Sequence, residues 1–304
     1  MINRLSCFAG LALALAMVGA AACEMPPPAR VDIDANSYYS DAHHSVIDPV
    51  LQAKNIANVK PIEDFLARVA RDASGRDPGC ALRWLASWGE QQAMLGKLSS
   101  EQAYYVRKWT LSGLALSYAR VQAQATPAQR AVIESWLRRL ADATIAHSDA
   151  FRGTRNNHYY WEGLAVTAVG GVTGDARYLA WGRKVFAFAM SQVADDGALP
   201  AEMGRAGKAL HYHLFAATPL AMMASILNLH DARLDKLVSF TMAAAADPSG
   251  LARVTGVAQE PERSDQLAVI YNRHAGRPAP GGQGLWQARL GGALDVANPL
   301  EHLQ

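Results

Sequence analysis

Two short clusters in the middle of the chain carry the side chains best suited to acid–base chemistry. The first, at residues 156–161, has the sequence NNHYYW, with two amides and an imidazole beside three aromatic rings. The second contains Arg205 and Tyr212, which share one face, about two turns apart, if a single helix includes both. A guanidinium beside a phenol stabilises the phenolate and lowers the phenol pKa. The pair therefore suits a reaction that needs a base and then an acid at one site.

The same residues also suit structural roles. The asparagines of the first cluster would cap a helix whose aromatic residues are core. Arg205 would pair with Glu202, and His211 and His213 would make polar contacts on a helix. Neither histidine has a metal-ligand partner four residues away within its cluster, so the sequence predicts no metal site.

The composition limits the classes of function. Half of the 304 residues are hydrophobic and 18% are charged, which is typical of a globular protein. With 29 basic against 27 acidic side chains, the net charge of +2 argues against a nucleic-acid-binding protein, which usually has a strongly basic stripe. A polyanionic ligand would have to be held by a few locally placed cations.

The N-terminal segment predicts export. Residues 1–22 contain an early cation, an apolar run and then small residues directly before Cys23. This pattern is typical of a lipoprotein signal peptide, so we expect Cys23 to become the mature N-terminus and to carry a lipid anchor. Glu24 is not the aspartate that retains lipoproteins at the inner membrane, which favours the periplasmic face of the outer membrane. Ordinary secretory cleavage is the alternative.

The predicted signal peptide determines the expected state of each of the three cysteines. Cys7 would leave with the signal peptide and the lipid would occupy Cys23, so Cys80 is expected to be unpaired and buried. Residues 23–35 begin with a proline-rich run and predict a stiff tether between the lipid and the domain.

Residues 36–304 predict a single all-α domain. Strand-like alternation is scarce, whereas the hydrophobic period of a helix recurs along the chain. The helical segments are 61–72, 81–95, 101–122, 127–147, 159–172, 176–193, 206–228 and 232–245. About ten helices joined by short connections suggest helical hairpins. Hairpins that close into a ring form an α/α toroid, an incomplete α/α barrel, although an open array has the same pattern.

The two central clusters resemble the alginate lyase family, polysaccharide lyase family five and its relatives. The match includes residues 156–161 and the motif positions within residues 199–213, and it extends to residues 80–88, 107–109 and 289–292. It covers most of the mature chain. The resemblance implies an α/α toroid and β-elimination at a uronic acid, without a metal or cofactor.

The resemblance also implies residue roles. Asn157, His158 and Arg205 would neutralise the C5 carboxylate of the sugar and so stabilise the intermediate formed as the C5 proton leaves. Tyr212 would act on the C5 proton and the leaving oxygen when both lie on one face of the sugar. His158 would be the base when they lie on opposite faces.

Further residues carry over as contacts to an acidic polysaccharide. Arg289 would bind the carboxylate of a neighbouring sugar or would only form a turn, and Tyr38 and Tyr39 would belong to an aromatic lid loop. Tryptophans at helical spacing would be core or would stack on sugars. The substrate-binding candidates are Arg289, Tyr38, Tyr39, Trp161, Trp84, Lys108 and His213.

The substrate and the reaction class have alternatives. Residues 247–281 form a shorter region than in well-known alginate lyases and lack extra cysteines, so glucuronan or a related exopolysaccharide stands close behind mannuronate-rich alginate. A toroid glycoside hydrolase would use Asp195, Asp196 or Glu202 as its carboxylates. A non-catalytic polysaccharide-binding lipoprotein of an export system is the third possibility.

Overall fold

The computed structural model describes residues 23–278 and 284–301, and the predicted signal peptide at residues 1–22 lies outside the described residues. The expected all-α fold is confirmed. The helices are α1 (Pro49–Arg71), α2 (Pro78–Glu90), α3 (Glu101–Val121), α4 (Pro127–Ala150), α5 (Asn157–Thr173), α6 (Ala176–Gln192), α7 (Pro200–Met203), α8 (Ala209–Leu227), α9 (Ala232–Ala246), α10 (Ser249–Thr255) and α11 (Asp265–His274). A two-stranded ribbon, β1 (Trp286–Gln287) and β2 (Gly292–Ala293), follows them.

Local capping sets where the helices begin. The side chain of Asp48 accepts hydrogen bonds from the backbone N–H groups of Val50 and Leu51, so α1 begins at Pro49 and runs through Pro61. The predicted start at residue 61 was therefore too late. Thr126 forms a capping box at the start of α4. Caps of this kind satisfy backbone donors that would otherwise lack partners at the helix start.

The helices form the expected α/α toroid. Helix α5 packs between α3 and α8, with α4 and α6 behind it, while α1 packs on α3 and α11 on α8. The close approach requires a small residue in α5: a Cβ atom at Gly163 would lie 2.7 Å from Val185 and 2.8 Å from Met223. The helix that contains α8 is long and apolar enough to cross a membrane. However, 89% of its most apolar stretch is buried inside the protein, as expected for an inner helix of the toroid.

The segment after α11 holds Arg289 against the ring. Ser112 of α3 donates a hydrogen bond of 2.7 Å to the backbone carbonyl of Arg289, and Arg120 donates to the carbonyls of Gly291 and Ala293. A Cβ at Gly113 would collide with the backbone of this segment. These contacts fix the position from which the Arg289 side chain reaches the inner end of the ring.

The predicted tether at residues 23–35 is wrong, because this segment is packed on the domain. The indole nitrogens of Trp84 and Trp88 donate hydrogen bonds to the carbonyls of Glu24 and Pro27, and Ile33 is buried. A proline-rich extended segment leaves its carbonyls free to accept such bonds. Trp84 therefore belongs to the contact with the N-terminal segment and not to a sugar-binding surface.

The prediction that Cys80 is unpaired is also wrong. Cys23 and Cys80 form a disulfide, with their Cα atoms 5.5 Å apart. The sequence-based prediction left Cys80 without a partner because it placed a lipid on the sulfur of Cys23. One sulfur atom cannot form both bonds, so lipidation of Cys23, which stays a prediction, excludes this disulfide.

We expect the disulfide to stabilise the fold substantially. It joins residues 57 positions apart, so restricting the unfolded chain contributes about 4 kcal/mol to the free energy of unfolding. Replacing Cys23 and Cys80 with serine should lower that free energy by about this amount in urea unfolding. The mature wild-type protein should show no free thiol at these positions by mass spectrometry. A diacylated Cys23 together with a free Cys80 thiol would contradict the disulfide.

Candidate active site

The inner helices α3, α5 and α8 begin around one cavity of about 540 Å³. Its walls come from the first turns of these helices, the loop before α1, and Arg289. Helix N-termini carry a partial positive charge, and here three of them surround the same space. Together with two arginines, they make the cavity favourable for an anionic ligand.

Arg205 and Tyr212 meet at this cavity. The guanidinium carbon of Arg205 lies 4.5 Å from the centre of the Tyr212 ring. Arg205 lies outside α8, so the condition that a single helix includes both residues is not met. It precedes a 3-10 turn at Ala206–Lys208, and Ala206 has a φ of 49°, which turns the chain back before α8 begins. The predicted proximity therefore arises from a tight turn rather than from two turns of helix.

Tyr212 carries its proton in the free protein. Burial raises the pKa of Tyr212, and the Tyr39 hydrogen bond and the Arg205 charge offset this only in part. The expected lowering by Arg205 is thus present but is outweighed by desolvation. The hydroxyl lies 3.5 Å from the Tyr39 hydroxyl and 3.4 Å from the backbone oxygen of His44. A neutral phenol held by such long contacts is suited to donate its proton.

His158 forms another part of the wall. Its ring stacks on Tyr105 with centroids 3.6 Å apart, and Trp109 lies beside it. Burial lowers the pKa of His158 well below its ordinary value, and the charges of Lys108 and Arg205 lower it further. The imidazole is therefore neutral and able to accept a proton.

Asn157 lies behind the wall and not on it. Its side chain is 0% exposed, its backbone N–H donates to Glu202 at 2.8 Å, and its amide nitrogen lies 3.1 Å from both Glu202 oxygens. The neighbouring Asn156 caps α5 through the N–H of His158 and lines the cavity instead. In the free protein Asn157 thus positions Glu202, which lies 3.7 Å from the Nε of Arg205.

The carboxylates suggested for a hydrolase do not line this cavity. Glu202 is fully buried, and its contacts with Asn157 and Arg205 use its oxygens. Burial raises the pKa of Glu202, and those contacts offset the rise only in part. Asp196 accepts a hydrogen bond from the N–H of Ala198 in a turn, as an ordinary turn residue does. The hydrolase alternative therefore lacks its pair of carboxylates at the site.

Arg289 connects the central cavity to two further cavities, of about 680 Å³ and about 180 Å³, and it lines all three. Its guanidinium carbon stacks 4.4 Å from the centre of the Trp109 ring, and one nitrogen is 3.5 Å from Glu63. Trp161 lines the largest cavity and donates its indole N–H to the backbone of Phe215. The cavities form a groove longer than a single sugar unit.

The loop before α1 covers part of the cavity. Tyr38 and Tyr39 line it, with ring centroids 4.8 Å apart, as expected for an aromatic lid loop. Asp41 holds the turn by accepting hydrogen bonds from the N–H groups of Ser45 and Val46. His44, at the tip of this turn, also lines the cavity, and no feature of the sequence indicated it.

Two predicted substrate-binding residues lie inside the protein. Lys108 is 1% exposed and its ammonium lies 3.0 Å from Glu162, so it does not reach a polymer in the groove. His213 is 0% exposed: its Nδ1 is 2.8 Å from the carbonyl of Ala209, and its Nε2 accepts the N–H of Leu199. Buried polar groups are usually hydrogen-bonded in this way, so both predictions are wrong.

His213 makes stability depend on pH. Burial lowers the pKa of His213 to about 4, because the charged imidazolium is desolvated, and the Ala209 carbonyl and the Asp196 charge offset this only in part. The unfolded chain takes up this proton near pH 6.5, so the stabilisation is complete above that pH and is lost as the pH falls towards 4, by up to about 3 kcal/mol. Urea unfolding at pH 7 and pH 4.5 should show a smaller change for His213→Gln than for the wild type. Equal changes would contradict this role.

The described ranges, residues 23–278 and 284–301, contain no group of three or more His, Cys, Asp or Glu side chains placed to hold a metal ion. Positive charge at the cavity comes from Arg205, Arg289 and the helix termini.

Comparisons with known proteins agree on one family. A family model described as alginate lyase matches residues 32–251. A polysaccharide lyase of Stenotrophomonas maltophilia is 40% identical over 269 residues, which cover 83% of this chain and 81% of the relative. An alginate lyase of Pseudomonas fluorescens is 28% identical over 265 residues, which cover 78% of this chain and 70% of the relative. A variant of alginate lyase A1-III complexed with a tetrasaccharide superposes with a TM-score of 0.74 at 22% identity, over 92% of this chain and 86% of that one.

Proposed function

Since the chain belongs to the alginate lyase family and is a polysaccharide lyase, we propose that it cleaves a uronic-acid polymer by metal-independent β-elimination. Mannuronate-rich alginate is the first substrate and glucuronan or a related exopolysaccharide the next. The products carry 4,5-unsaturated uronate ends. The observation that carries the proposal is the meeting of Arg205, Tyr212 and His158 around one cavity.

The elimination needs one base, one acid and a cation. Arg205 neutralises the C5 carboxylate, so the charge that develops as the C5 proton leaves is stabilised. His158 takes that proton, and the C5–H electron pair forms the C4=C5 double bond as the C4–O bond breaks. Tyr212 donates its proton to the leaving oxygen. The lowered pKa of His158 leaves its imidazole unprotonated and the raised pKa of Tyr212 leaves its phenol protonated, which are the starting states that these two roles require.

The geometry of the sugars supports the substrate order. Mannuronate and glucuronate differ at C2, and both carry the C5 hydrogen and the C4 oxygen on the same face of the ring. The resemblance assigned both steps on such a sugar to Tyr212. Because burial raises the pKa of Tyr212 and lowers that of His158, we divide the steps: His158 takes the C5 proton and Tyr212 supplies the proton to the leaving oxygen, and one arrangement of base and acid serves both sugars. Guluronate has the opposite configuration at C5, so its hydrogen lies on the other face. We expect polymannuronate and glucuronan to be cleaved faster than polyguluronate.

The extended groove supports a polymeric substrate. Arg289 lies where three cavities meet and is held by backbone contacts of the C-terminal segment. In this position it binds the carboxylate of a sugar next to the one that reacts. Trp109, stacked on Arg289, provides apolar surface for a sugar ring, whereas Trp161 is only 3% exposed and supports the wall of the groove.

An absorbance assay tests the proposal. The double bond made by elimination is conjugated to the carboxylate, so ultraviolet absorbance should rise with polymannuronate or glucuronan, with and without a strong metal chelator. A rise that the chelator abolishes would contradict metal independence. Binding of every polymer in the panel without any rise in absorbance would instead support the non-catalytic alternative.

We also propose that the protein works in the periplasm. Its disulfide supports an oxidising compartment, because cytosolic thiols are kept reduced. Fractionation of cells should find the mature protein outside the cytoplasm, and recovery from the cytoplasm with residues 1–22 still attached would contradict this. An outer-membrane lipid on Cys23 requires the thiol to be free of Cys80.

A further inference from the structure

A buried group of charges lies behind His158, and the reaction steps above do not use it. Lys108 is 1% exposed and Glu162 is 6% exposed, and their charged atoms are 3.0 Å apart. Arg155 lies 4.0 Å from the second Glu162 oxygen. Removing such charges from water costs several kcal/mol for each ion, so a pair of this kind contributes little net stability. Its position beside the active site suggests another role.

A small cavity joins this group to His158. The cavity has a volume of about 60 Å³, and its lining includes His158, Glu162, Arg155 and Asn156. This is room for a small number of water molecules, and a buried water needs two to four polar partners, which these side chains provide. We call it the rear cavity: His158 lines both this cavity and the large one, whereas Arg205 and Tyr212 line only the large cavity.

The imidazole of His158 has one nitrogen that lacks a partner. Its Nδ1 is buried and makes no hydrogen bond with any described protein group. A buried polar atom of this kind usually binds an ordered water. Glu162 follows His158 by one helical turn, so both side chains project from the same face of α5 into the rear cavity.

We propose that Glu162 is a positioning residue that fixes the tautomer of His158. Its carboxylate, paired with the Lys108 ammonium, accepts a hydrogen bond from a water in the rear cavity, and that water accepts the Nδ1–H of His158. The lone pair is then on Nε2, the nitrogen that accepts the C5 proton. Which nitrogen of a histidine carries the proton is set by the hydrogen bond that the other one makes. The inference rests on the proposed function and identifies what prepares its base.

The other groups around His158 fit this assignment. Tyr105 and Lys108 approach it from α3, with the ammonium 4.3 Å from the Tyr105 ring centre, and Arg205 and His44 approach it from the large cavity. These cations disfavour the imidazolium form. Glu101, the second carboxylate of the rear cavity, is 3.1 Å from His147 and is more exposed. Glu162 is therefore the acceptor that the buried proton of His158 requires.

Nuclear magnetic resonance of nitrogen-15-labelled histidines in the full chain tests the tautomer without any substrate. The His158 signal is assigned by its loss in His158→Gln. We expect the wild type to carry the proton on Nδ1, and Glu162→Gln to give a mixture of tautomers, because an amide either donates or accepts. Glu101→Gln is the matched control and should leave the tautomer unchanged. A wild-type proton on Nε2, or an unchanged tautomer in Glu162→Gln, would overturn the proposal.

Kinetics form the second arm. Glu162→Gln should lower kcat on polymannuronate about tenfold to a hundredfold with KM nearly unchanged, while Glu162→Asp, which keeps the carboxylate, should recover most of the rate. If loss of the Lys108 partner unfolds the single variant, Lys108→Met with Glu162→Gln removes both charges and should show the same loss. A full rate in this folded double variant would refute the role. Absence of cleavage by the wild type would refute the proposed function and leave the tautomer result standing.

Discussion

Tyr212→Phe should lower kcat by about a hundredfold to ten-thousandfold, because the substitution removes the proton donor for the leaving oxygen. The phenol ring stays in place, packed against Arg205, and the hydroxyl makes contacts only at 3.4 Å and 3.5 Å. The fold and the affinity for the polymer should therefore change little. Initial rates of absorbance change, together with binding of the polymer by calorimetry, measure the two effects separately.

The matched control is Tyr178→Phe. Tyr178 is also buried, but its hydroxyl donates a 2.7 Å hydrogen bond to Asp142, in the contact between α6 and α4. Its loss should lower stability by about 1 kcal/mol and leave kcat unchanged. If Tyr212→Phe kept more than a tenth of the wild-type kcat, Tyr212 would not be the acid.

Arg205→Ala should lower kcat/KM by about a hundredfold to a thousandfold, because the charge that develops on the C5 carboxylate loses its cation. Arg205→Lys should lose less, since a charge remains but the planar pair of donors is gone. The measurement is kcat/KM on one polymer across the series.

Stability must be followed in the same variants. Arg205 is 3.7 Å from the buried Glu202, so removing the arginine leaves that carboxylate with the Asn157 amide alone. Thermal unfolding separates this effect from the loss of activity. Arg177→Ala, which removes an exposed guanidinium paired with Asp175 at the start of α6, should change neither activity nor stability by a measurable amount. A fully active, folded Arg205→Ala would contradict the role of the arginine.

Local sequence signals predicted the fold class well, because capping residues and helical period act over a few positions. The helix predicted at residues 127–147 does begin at Pro127, where Thr126 and Gln129 form a capping box. The two clusters around His158 and Tyr212 were also predicted to form one site, and both line the same cavity. Their catalytic roles stay predictions.

Long-range packing decided what the sequence could not. Trp84 and Trp109 both occur at helical spacing in the sequence. In the structure Trp84 donates a hydrogen bond to the N-terminal segment, whereas Trp109 stacks on Arg289 in the groove. Asn156 and Asn157 are adjacent in sequence, but Asn156 lines the cavity and Asn157 lies behind it. The direction in which α5 begins decides which of the two faces the cavity. The disulfide likewise depends on a long-range contact between Cys23 and Cys80. The signal-peptide pattern around Cys23 involves only neighbouring residues and does not reveal that contact.

The pairing of Lys108 with Glu162 is a further case. The two residues are distant in sequence and meet only because α3 packs against α5. From the sequence alone, a lysine three residues before the middle of α3 is interpreted as a groove residue until that contact is known. In the sequence, the only indication that Glu162 is linked to His158 was its position one helical turn later. The structure shows that both side chains line the rear cavity.

The most direct test of the central claim is cleavage of polymannuronate in heavy-oxygen water, with the products analysed by mass spectrometry. Elimination breaks the C4–O bond without adding water. We therefore predict that the newly formed ends are unsaturated uronates, one for each bond cleaved, and that no heavy oxygen enters the products during cleavage. Saturated ends that carry the heavy oxygen would show hydrolysis and would contradict the lyase mechanism.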